Sequence, residues 1–145
     1  MSEVVLLDSG PLGLVTNPRG SQEADACNHW LEMLIRRDVQ VKIPEITDYE
    51  VRRELLRADK VRGLQKLDAL REYLDYVPLT TQTMHKAAEF WANLRKQGKP
   101  TAHDKALDGD VILAAQAAML EMIGHEVIVA TTNVAHLSRL VNVKP

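Results

Sequence analysis

The chain has 145 residues, of which 46 % are hydrophobic and 26 % are charged, and its formal net charge is −2. This size and balance predict one domain over residues 1–145 and exclude a strongly basic surface, although a basic rim beside an acidic site would give the same total. The single Cys27 excludes an intramolecular disulfide and a cysteine-based zinc site. No apolar run reaches the roughly 18 residues of a membrane span, so we expect a cytoplasmic protein with no membrane segment.

The first half of the chain predicts two strands, each followed by helices. Val4–Leu7 is a continuous apolar run of the kind that fills the centre of a parallel sheet, and it ends at a polar turn. Asp8 follows it at the carboxyl end, as a ligand or as the cap of a turn or helix. The patterns then predict a helix at Ala24–Ile35, a strand at Val39–Ile43, a helix from Thr47 or Asp48 to Arg57, and a helix at Val61–Tyr73.

The second half continues the alternation of strands and helices. Tyr76–Leu79 predicts an edge strand, because Pro78 cannot donate a hydrogen bond to a neighbouring strand. Thr80 is placed to cap the next helix, and the spacing of Trp91 within it predicts a core position. The remaining elements are a helix at Met84–Lys96, a helix at Asp110–Met122, a strand at Glu126–Thr131, a short helix at His136–Leu140 and an edge strand at Val141–Val143. Such βαβ units predict an α/β fold with a parallel sheet.

Three carboxylates, Asp104, Asp108 and Asp110, fall within seven residues directly before a strongly apolar helical pattern. One acidic residue at a helix start is ordinary capping, and Asp108 is well placed for it. Further like charges repel each other unless a cation lies among them. Lys105 is one such cation, and a divalent metal ion is the stronger candidate.

Acidic residues elsewhere in the chain are predicted to meet at the same place. The carboxyl ends of parallel strands share one edge of the sheet, and Asp8, Glu50 and the Thr131-Thr132-Asn133 turn all follow strands. Asp110 can approach this edge from its helix. Thr47-x-x-Glu50 also has the form of a helix capping box, which would give Glu50 a structural role instead. A site built only from oxygen ligands favours Mg²⁺ or Mn²⁺, which suit phosphoryl chemistry.

Four segments of this sequence resemble the signature blocks of PIN domains, and most closely those of VapC-like toxin ribonucleases from toxin–antitoxin pairs. The segments cover nearly the whole chain and occur in the family's order: Val5–Ser9, Ile46–Glu50, Asp110–Ala115 and Ile128–Asn133. The resemblance implies a three-layer α/β/α domain with a central parallel sheet of four to five strands. It also implies a Mg²⁺- or Mn²⁺-dependent endoribonuclease that cuts single-stranded or loop RNA and leaves a 5′-phosphate and a 3′-hydroxyl.

The resemblance assigns roles to particular residues. Asp8, Glu50 and Asp110 are implied as the catalytic, metal-binding carboxylates, with Ser9, Thr131 and Asn133 in support. Asn133 stands where the family often has a further acidic residue, which puts a second metal position in doubt; Asp108 or Asp104 is placed to compensate. Asp108 is also the alternative to Asp110, but the spacing to the following Ala114-Ala115 favours Asp110. We expect His103 and His136 to be structural, and the candidate phosphate contacts are Arg52, Arg53, Arg57, Lys99 and Lys105.

The resemblance further implies an RNA substrate, a cognate antitoxin protein and a homodimer. The alternative function is a catalytically weak PIN-like module that binds RNA or protein, because the last block lacks an acid. A phosphatase or receiver domain is a poorer match. Asp8-Ser9-Gly10 lacks the second aspartate of an aspartyl-phosphate loop, and Leu79-Thr80-Thr81 offers no phospho-accepting aspartate after the third strand.

Overall fold

The computed structural model describes residues 3–98, 104–131 and 143–144, and it describes side chains throughout these ranges except at 104–107 and 143–144. Strands and helices alternate along the described residues. The strands are β1 (Glu3–Leu7), β2 (Gln40–Pro44), β3 (Asp75–Val77), β4 (Glu126–Ala130) and β5 (Val143–Lys144). The helices are α1 (Ser9–Thr16), α2 (Gln22–Arg36), α3 (Glu45–Arg57), α4 (Val61–Leu70), α5 (Thr81–Lys96) and α6 (Asp104–Met122).

The strands form one parallel sheet in the order β3-β2-β1-β4-β5. β1 is central, and its Val5 is in register with Val41 of β2 and Ile128 of β4. The predicted α/β class and parallel sheet are therefore confirmed. β3 lies at an edge, as the position of Pro78 predicted.

Successive side chains of β1 point to opposite faces of the sheet, so both faces carry apolar side chains, and helices cover both. Val5 and Leu7 pack into a cluster with buried residues of α1, α2, α3 and α4. Val4 and Leu6 pack on the opposite face, against Leu113 and other residues of α6. A further cluster joins α5 to α6. These three layers match the predicted α/β/α arrangement.

The start of one helix confirms an alternative that the sequence left open, and the start of another differs from its prediction. α1 begins at Ser9, directly after β1, because Asp8 caps it and Pro11 lies in the first turn, where an amide hydrogen is not needed. α3 begins at Glu45 rather than at Thr47 or Asp48. The amino end of α3 is satisfied by a distant residue: the Ile46 amide donates to Gln116 Oε1 at 3.3 Å.

The predicted capping box is wrong for the same reason. Thr47 lies inside α3, is fully buried, and its hydroxyl has no hydrogen-bond partner among the described residues. Glu50 is therefore not occupied in capping this helix. Its carboxylate is available for the interactions described below.

Three further predictions were wrong in detail. α6 begins at Asp104, six residues before Asp110, so Asp108 lies within the helix and does not cap it. α4 ends at Leu70, and Arg71–Tyr73 form a turn before β3. Trp91 is 39 % exposed on α5 and not part of the core, because it faces a groove between α5 and α6.

No helix among the described residues is long and apolar enough to cross a membrane. The predicted short helix at His136–Leu140 lies outside the described residues. Of the predicted edge strand at Val141–Val143, the structure describes Val143, which belongs to β5.

Candidate active site

Asp8 lies at the carboxyl end of β1, where the central strands of the sheet end together. Its amide donates to the carbonyl of Ala130 at 2.9 Å, which extends the pairing of β1 with β4 by one residue. The side chain is buried, accepts a hydrogen bond from the Ser9 amide at 2.7 Å, and accepts another from the hydroxyl of Thr131. These two bonds fix the orientation of the carboxylate.

Glu50 comes from α3, and its carboxylate lies against the backbone of α6. A Cβ added at Gly109 would be 2.5 Å from Glu50 Oε2, so the close approach depends on the absence of a side chain at residue 109. Burial and the negative charge of Asp8, with a further contribution from Asp110, raise the pKa of Glu50 to about 7, although Arg53 opposes the shift. Glu50 is therefore within electrostatic reach of both other predicted carboxylates.

Asp110 lies in the second turn of α6, one residue after Gly109, and is partly buried. Its negative charge acts on Glu50, which links α6 to the end of the sheet. Asp108 differs, since it is exposed and lines the groove between α5 and α6 with Met84 and Trp91. The structure therefore brings Asp8, Glu50 and Asp110 together and directs Asp108 to a neighbouring surface.

Gln116 holds α6 in place relative to α3 and β3. It is completely buried, and its Oε1 accepts the hydrogen bond from the Ile46 amide, while its Nε2 donates to the carbonyls of Val77 and Pro78 at 2.6 and 3.4 Å. The sequence analysis missed this residue. The one available signal was a single amide side chain in the run Ala114-Ala115-Gln116-Ala117-Ala118, where a buried polar group requires partners.

The predicted supporting residues are described to different extents. Ser9 and Thr131 both bond Asp8, the first through its amide and the second through its hydroxyl. Asn133 lies outside the described residues, as do His103, His136 and Lys99, and the side chains of Asp104 and Lys105 are among those not described.

The predicted phosphate contact at Arg52 is contradicted by its surroundings. Its guanidinium is 2.9 Å from one Asp48 oxygen, 3.1 Å from the other and 2.8 Å from Asp68 Oδ1. Asp48 also accepts a hydrogen bond from the hydroxyl of Tyr76. Burial alone would raise the pKa of Asp48, but the bonds from Arg52 and Tyr76 outweigh it and hold that pKa below its ordinary value. Arg52 therefore belongs to a structural network joining α3, α4 and β3.

The donor chemistry of the carboxylates fits a hard divalent cation. Asp8, Glu50 and Asp110 offer only oxygen atoms. Burial is the main cause of the raised pKa of Glu50, and the negative charges of Asp8 and Asp110, which a cation would compensate, add to it. Among the described side chains of residues 3–98 and 108–131, however, no three from His, Cys, Asp or Glu are arranged so that they could hold a metal ion as they stand. The carboxylates would have to move toward a bound ion, which is consistent with their mutual repulsion in its absence.

A scan against protein-family models gave no match, and a search of curated proteins gave none. Solved structures do match. One match is VapBC2 from Rickettsia felis, solved with a DNA fragment from the promoter of the VapBC2 pair. It has a TM-score of 0.75 and 16 % identity, over 97 % of each chain. DNA-bound VapBC from Salmonella typhimurium matches with a TM-score of 0.66 and 17 % identity, over 99 % of this chain and 98 % of that one. VapBC-1 from nontypeable Haemophilus influenzae matches with a TM-score of 0.65 and 15 % identity, over 97 % and 96 %.

These likenesses extend over nearly the full length of both chains in each pair, so they concern the whole fold and not one motif. At such low identity they bear on the fold alone, because one fold can serve several functions. The chain therefore has the VapC-like PIN fold that its sequence predicted.

Proposed function

We propose that the chain is a metal-dependent endoribonuclease that hydrolyses RNA phosphodiester bonds, with Mg²⁺ or Mn²⁺ as its metal. The observation that carries the proposal is the meeting of Asp8, Glu50 and Asp110 at one edge of the sheet. The repulsion among three carboxylates destabilises a fold. Their grouping is explained if they serve a cation that binds phosphate.

The chain's own residues have distinct roles in this proposal. Asp8, Glu50 and Asp110 hold the metal, and the Ser9 amide and Thr131 hydroxyl keep the Asp8 carboxylate in a fixed orientation. Gly109 lets the Glu50 carboxylate lie against α6. When bound, the metal supplies polarisation of the phosphate and a lowered pKa for the attacking water.

We further propose that the chain is the toxin of a toxin–antitoxin pair, with a cognate antitoxin protein as its partner, and that it forms a homodimer in the cytoplasm. The VapBC complexes that share its fold support the antitoxin partner. Copurification of the chain with the product of a neighbouring small reading frame would test this part.

The nuclease proposal is tested with the purified full chain and a pool of single-stranded and structured RNA. We expect cleavage with Mg²⁺ or Mn²⁺, none with EDTA, and a loss of roughly a hundredfold or more in Asp8→Asn and Asp110→Asn. Asp75→Asn is the matched control, because Asp75 is exposed at the amino end of β3, away from the carboxylates. Metal-independent cleavage, or full activity in both variants, would contradict the proposal.

Asp108→Asn in the same assay tests whether Asp110 or Asp108 is the metal-binding carboxylate of α6. Because Asp108 lines the α5–α6 groove, we expect it to retain far more activity than Asp110→Asn. An equal loss in the two variants would mean that Asp108 also acts on the metal or its ligands.

A second candidate function is a catalytically weak module that binds RNA or protein. Asn133 stands in the last block where the resemblance leads us to expect an acidic residue, and this favours the second candidate. In the same experiment, RNA binding by the wild type without metal-dependent cleavage would support this candidate.

A further inference from the structure

A cleft between α1 and α3 includes Glu50 and runs along α3. Its volume is about 390 Å³, and Ser9 and Glu50 line one end. Arg53, Arg57 and Lys60 line the rest of the α3 side and the turn after it. Residues 50, 53 and 57 are spaced by three or four positions, which places them along one side of α3, and Lys60 follows in the turn before α4.

The α1 side of this cleft is open. A Cβ added at Gly13 would meet no atom within 4 Å, so the backbone of α1 faces free space at this point. Thr16, which also lines the cleft, donates its hydroxyl to the carbonyl of Leu12 at 2.9 Å and adds no charge. The charges in the cleft beyond Glu50 therefore come from the α3 side.

These charges are cationic in balance. Glu54 also lines the cleft, but it pairs with Arg57 at 2.8 Å, and the two largely cancel. Arg53 and Lys60 have no carboxylate within ion-pair distance among the residues that the structure describes. The Tyr49 ring holds Arg53 instead, with the guanidinium carbon 5.1 Å from the ring centre.

The adjacent Arg52 shows what a structural arginine looks like on the same helix. Two carboxylates, Asp48 and Asp68, engage its guanidinium, whereas Arg53 is exposed beside the cleft. Acidic residues repel a polyanion. A nearby cation that is not paired with a carboxylate can offset that repulsion. This difference separates the two arginines that the sequence alone could not distinguish.

We infer that this cleft holds the phosphate backbone of single-stranded RNA beside the scissile bond, an inference that rests on the nuclease function proposed above. Arg53 and Lys60 contact its phosphates. The carboxylates repel a polyanion, and these two cations, which line the same cleft as Glu50, compensate for that repulsion. An acidic peptide would be attracted by the same cations, but the cleft is lined by Glu50, one of the carboxylates proposed to act on a phosphodiester, which favours RNA.

The test measures binding of a fluorescent 12-nucleotide oligouridylate to the full chain in Mg²⁺. Every variant carries Asp8→Asn, so that the probe stays intact. We expect Arg53→Gln with Lys60→Gln to weaken binding about 10- to 100-fold and to reduce the slope of log affinity against log salt by roughly 1.4, since each phosphate contact on a single strand contributes about 0.7. Arg36→Gln with Arg37→Gln, an equal charge change at the exposed carboxyl end of α2, should alter neither quantity.

The same substitutions in the active chain give a second readout. We expect KM to rise and kcat to stay within about twofold of the wild-type value. The substitutions remove binding energy shared by the substrate and the transition state, and they leave the carboxylates intact. Unchanged RNA affinity and salt slope in the double variant would overturn the inference, as would weakened binding of a poly-glutamate peptide with RNA binding unaffected. Failure of the wild type to cleave would instead contradict the nuclease proposal, whatever the cleft variants do to RNA binding.

Discussion

Helix α3 carries two acidic sites only two residues apart, and they have opposite surroundings. Asp48 is bonded by Arg52 and Tyr76, which hold its pKa below the ordinary value. Glu50 is partly buried near two other carboxylates, and its pKa is raised to about 7. The carboxylate of Asp48 is paired with a cation, whereas the carboxylate of Glu50 lies near like charges.

The difference separates a structural role from a functional one. A paired, partly buried carboxylate stabilises the fold, and its removal leaves Arg52 without its main partner. A group of like charges costs stability, so its presence points to a ligand that compensates for it. We therefore expect substitutions at Asp48 to act on stability and substitutions at Glu50 to act on activity.

The largest expected effect is on catalysis. Glu50→Gln keeps the size of the side chain but removes its charge, so we expect RNA cleavage in Mg²⁺ to fall roughly a hundredfold or more. The melting temperature of the metal-free protein at pH 8 should stay the same or rise, because the repulsion from Asp8 and Asp110 is gone. Initial cleavage rates and thermal melts measure the two quantities, and cleavage within threefold of the wild type would contradict the role of Glu50.

The converse substitution should act on the fold. Asp48→Asn leaves the half-buried Arg52 without its bidentate carboxylate, and we expect a loss of about 2 kcal/mol in the free energy of unfolding. Cleavage per folded molecule should stay within about twofold. Urea unfolding gives the free energy, with Asp68→Asn as the control, since Asp68 is 62 % exposed and should contribute far less. If Asp48→Asn lost activity and not stability, the separation of the two sites would fail.

A smaller effect is expected where α6 meets Glu50. Gly109→Ala adds a Cβ that would lie 2.5 Å from Glu50 Oε2, so the flexible carboxylate must move. We expect cleavage to fall about tenfold, while the melting temperature changes little, because alanine favours a helix by roughly 1 kcal/mol over glycine. Gly20→Ala is the control, since its Cβ would meet only Asp25 Oδ1, at 3.9 Å. Equal activity of the two variants would show that Glu50 needs no contact with this backbone.

The remaining prediction concerns the pH dependence of stability without metal. The folded pKa of Glu50, about 7, exceeds its ordinary value of 4.5, so the folded state holds this proton more tightly than the unfolded state. Stability should therefore fall as the pH rises from about 4.5 through 7. The lowered pKa of Asp48 has the opposite sign, because its contribution is lost as the pH falls through the acid range.

Thermal melts from pH 5 to 8 in EDTA measure this dependence. Glu50→Gln should flatten the decline, and added Mg²⁺ should raise the melting temperature of the wild type more at pH 8 than at pH 5. An identical decline in the wild type and in Glu50→Gln would assign the dependence to other groups.

Several features followed from the sequence because they depend on short-range patterns. A continuous apolar run predicted that β1 would be central, and Pro78 predicted an edge for β3. Strand ends in a parallel sheet share one edge, so Asp8 and Thr131 could be expected to meet. The hydrogen bond between them agrees with that expectation.

Other features depended on residues far apart in the chain. Gln116 supplies the partner at the start of α3 from 70 positions away, which is why the capping box at Thr47 was wrong. Arg52 and Arg53 are chemically identical neighbours, and only the folded chain gives one of them two carboxylates.

The sequence by itself therefore determined the order of the elements, the parallel sheet and the acidic residues at its edge, because periodicity and strand ends are local properties. The tertiary structure decided which acid faces another acid and which faces a cation. It also decided where Asp108 points and why residue 109 must lack a side chain. These outcomes depend on contacts between α3 and α6, whose relative position is set by packing and by the bonds of Gln116, and no local pattern encodes that position.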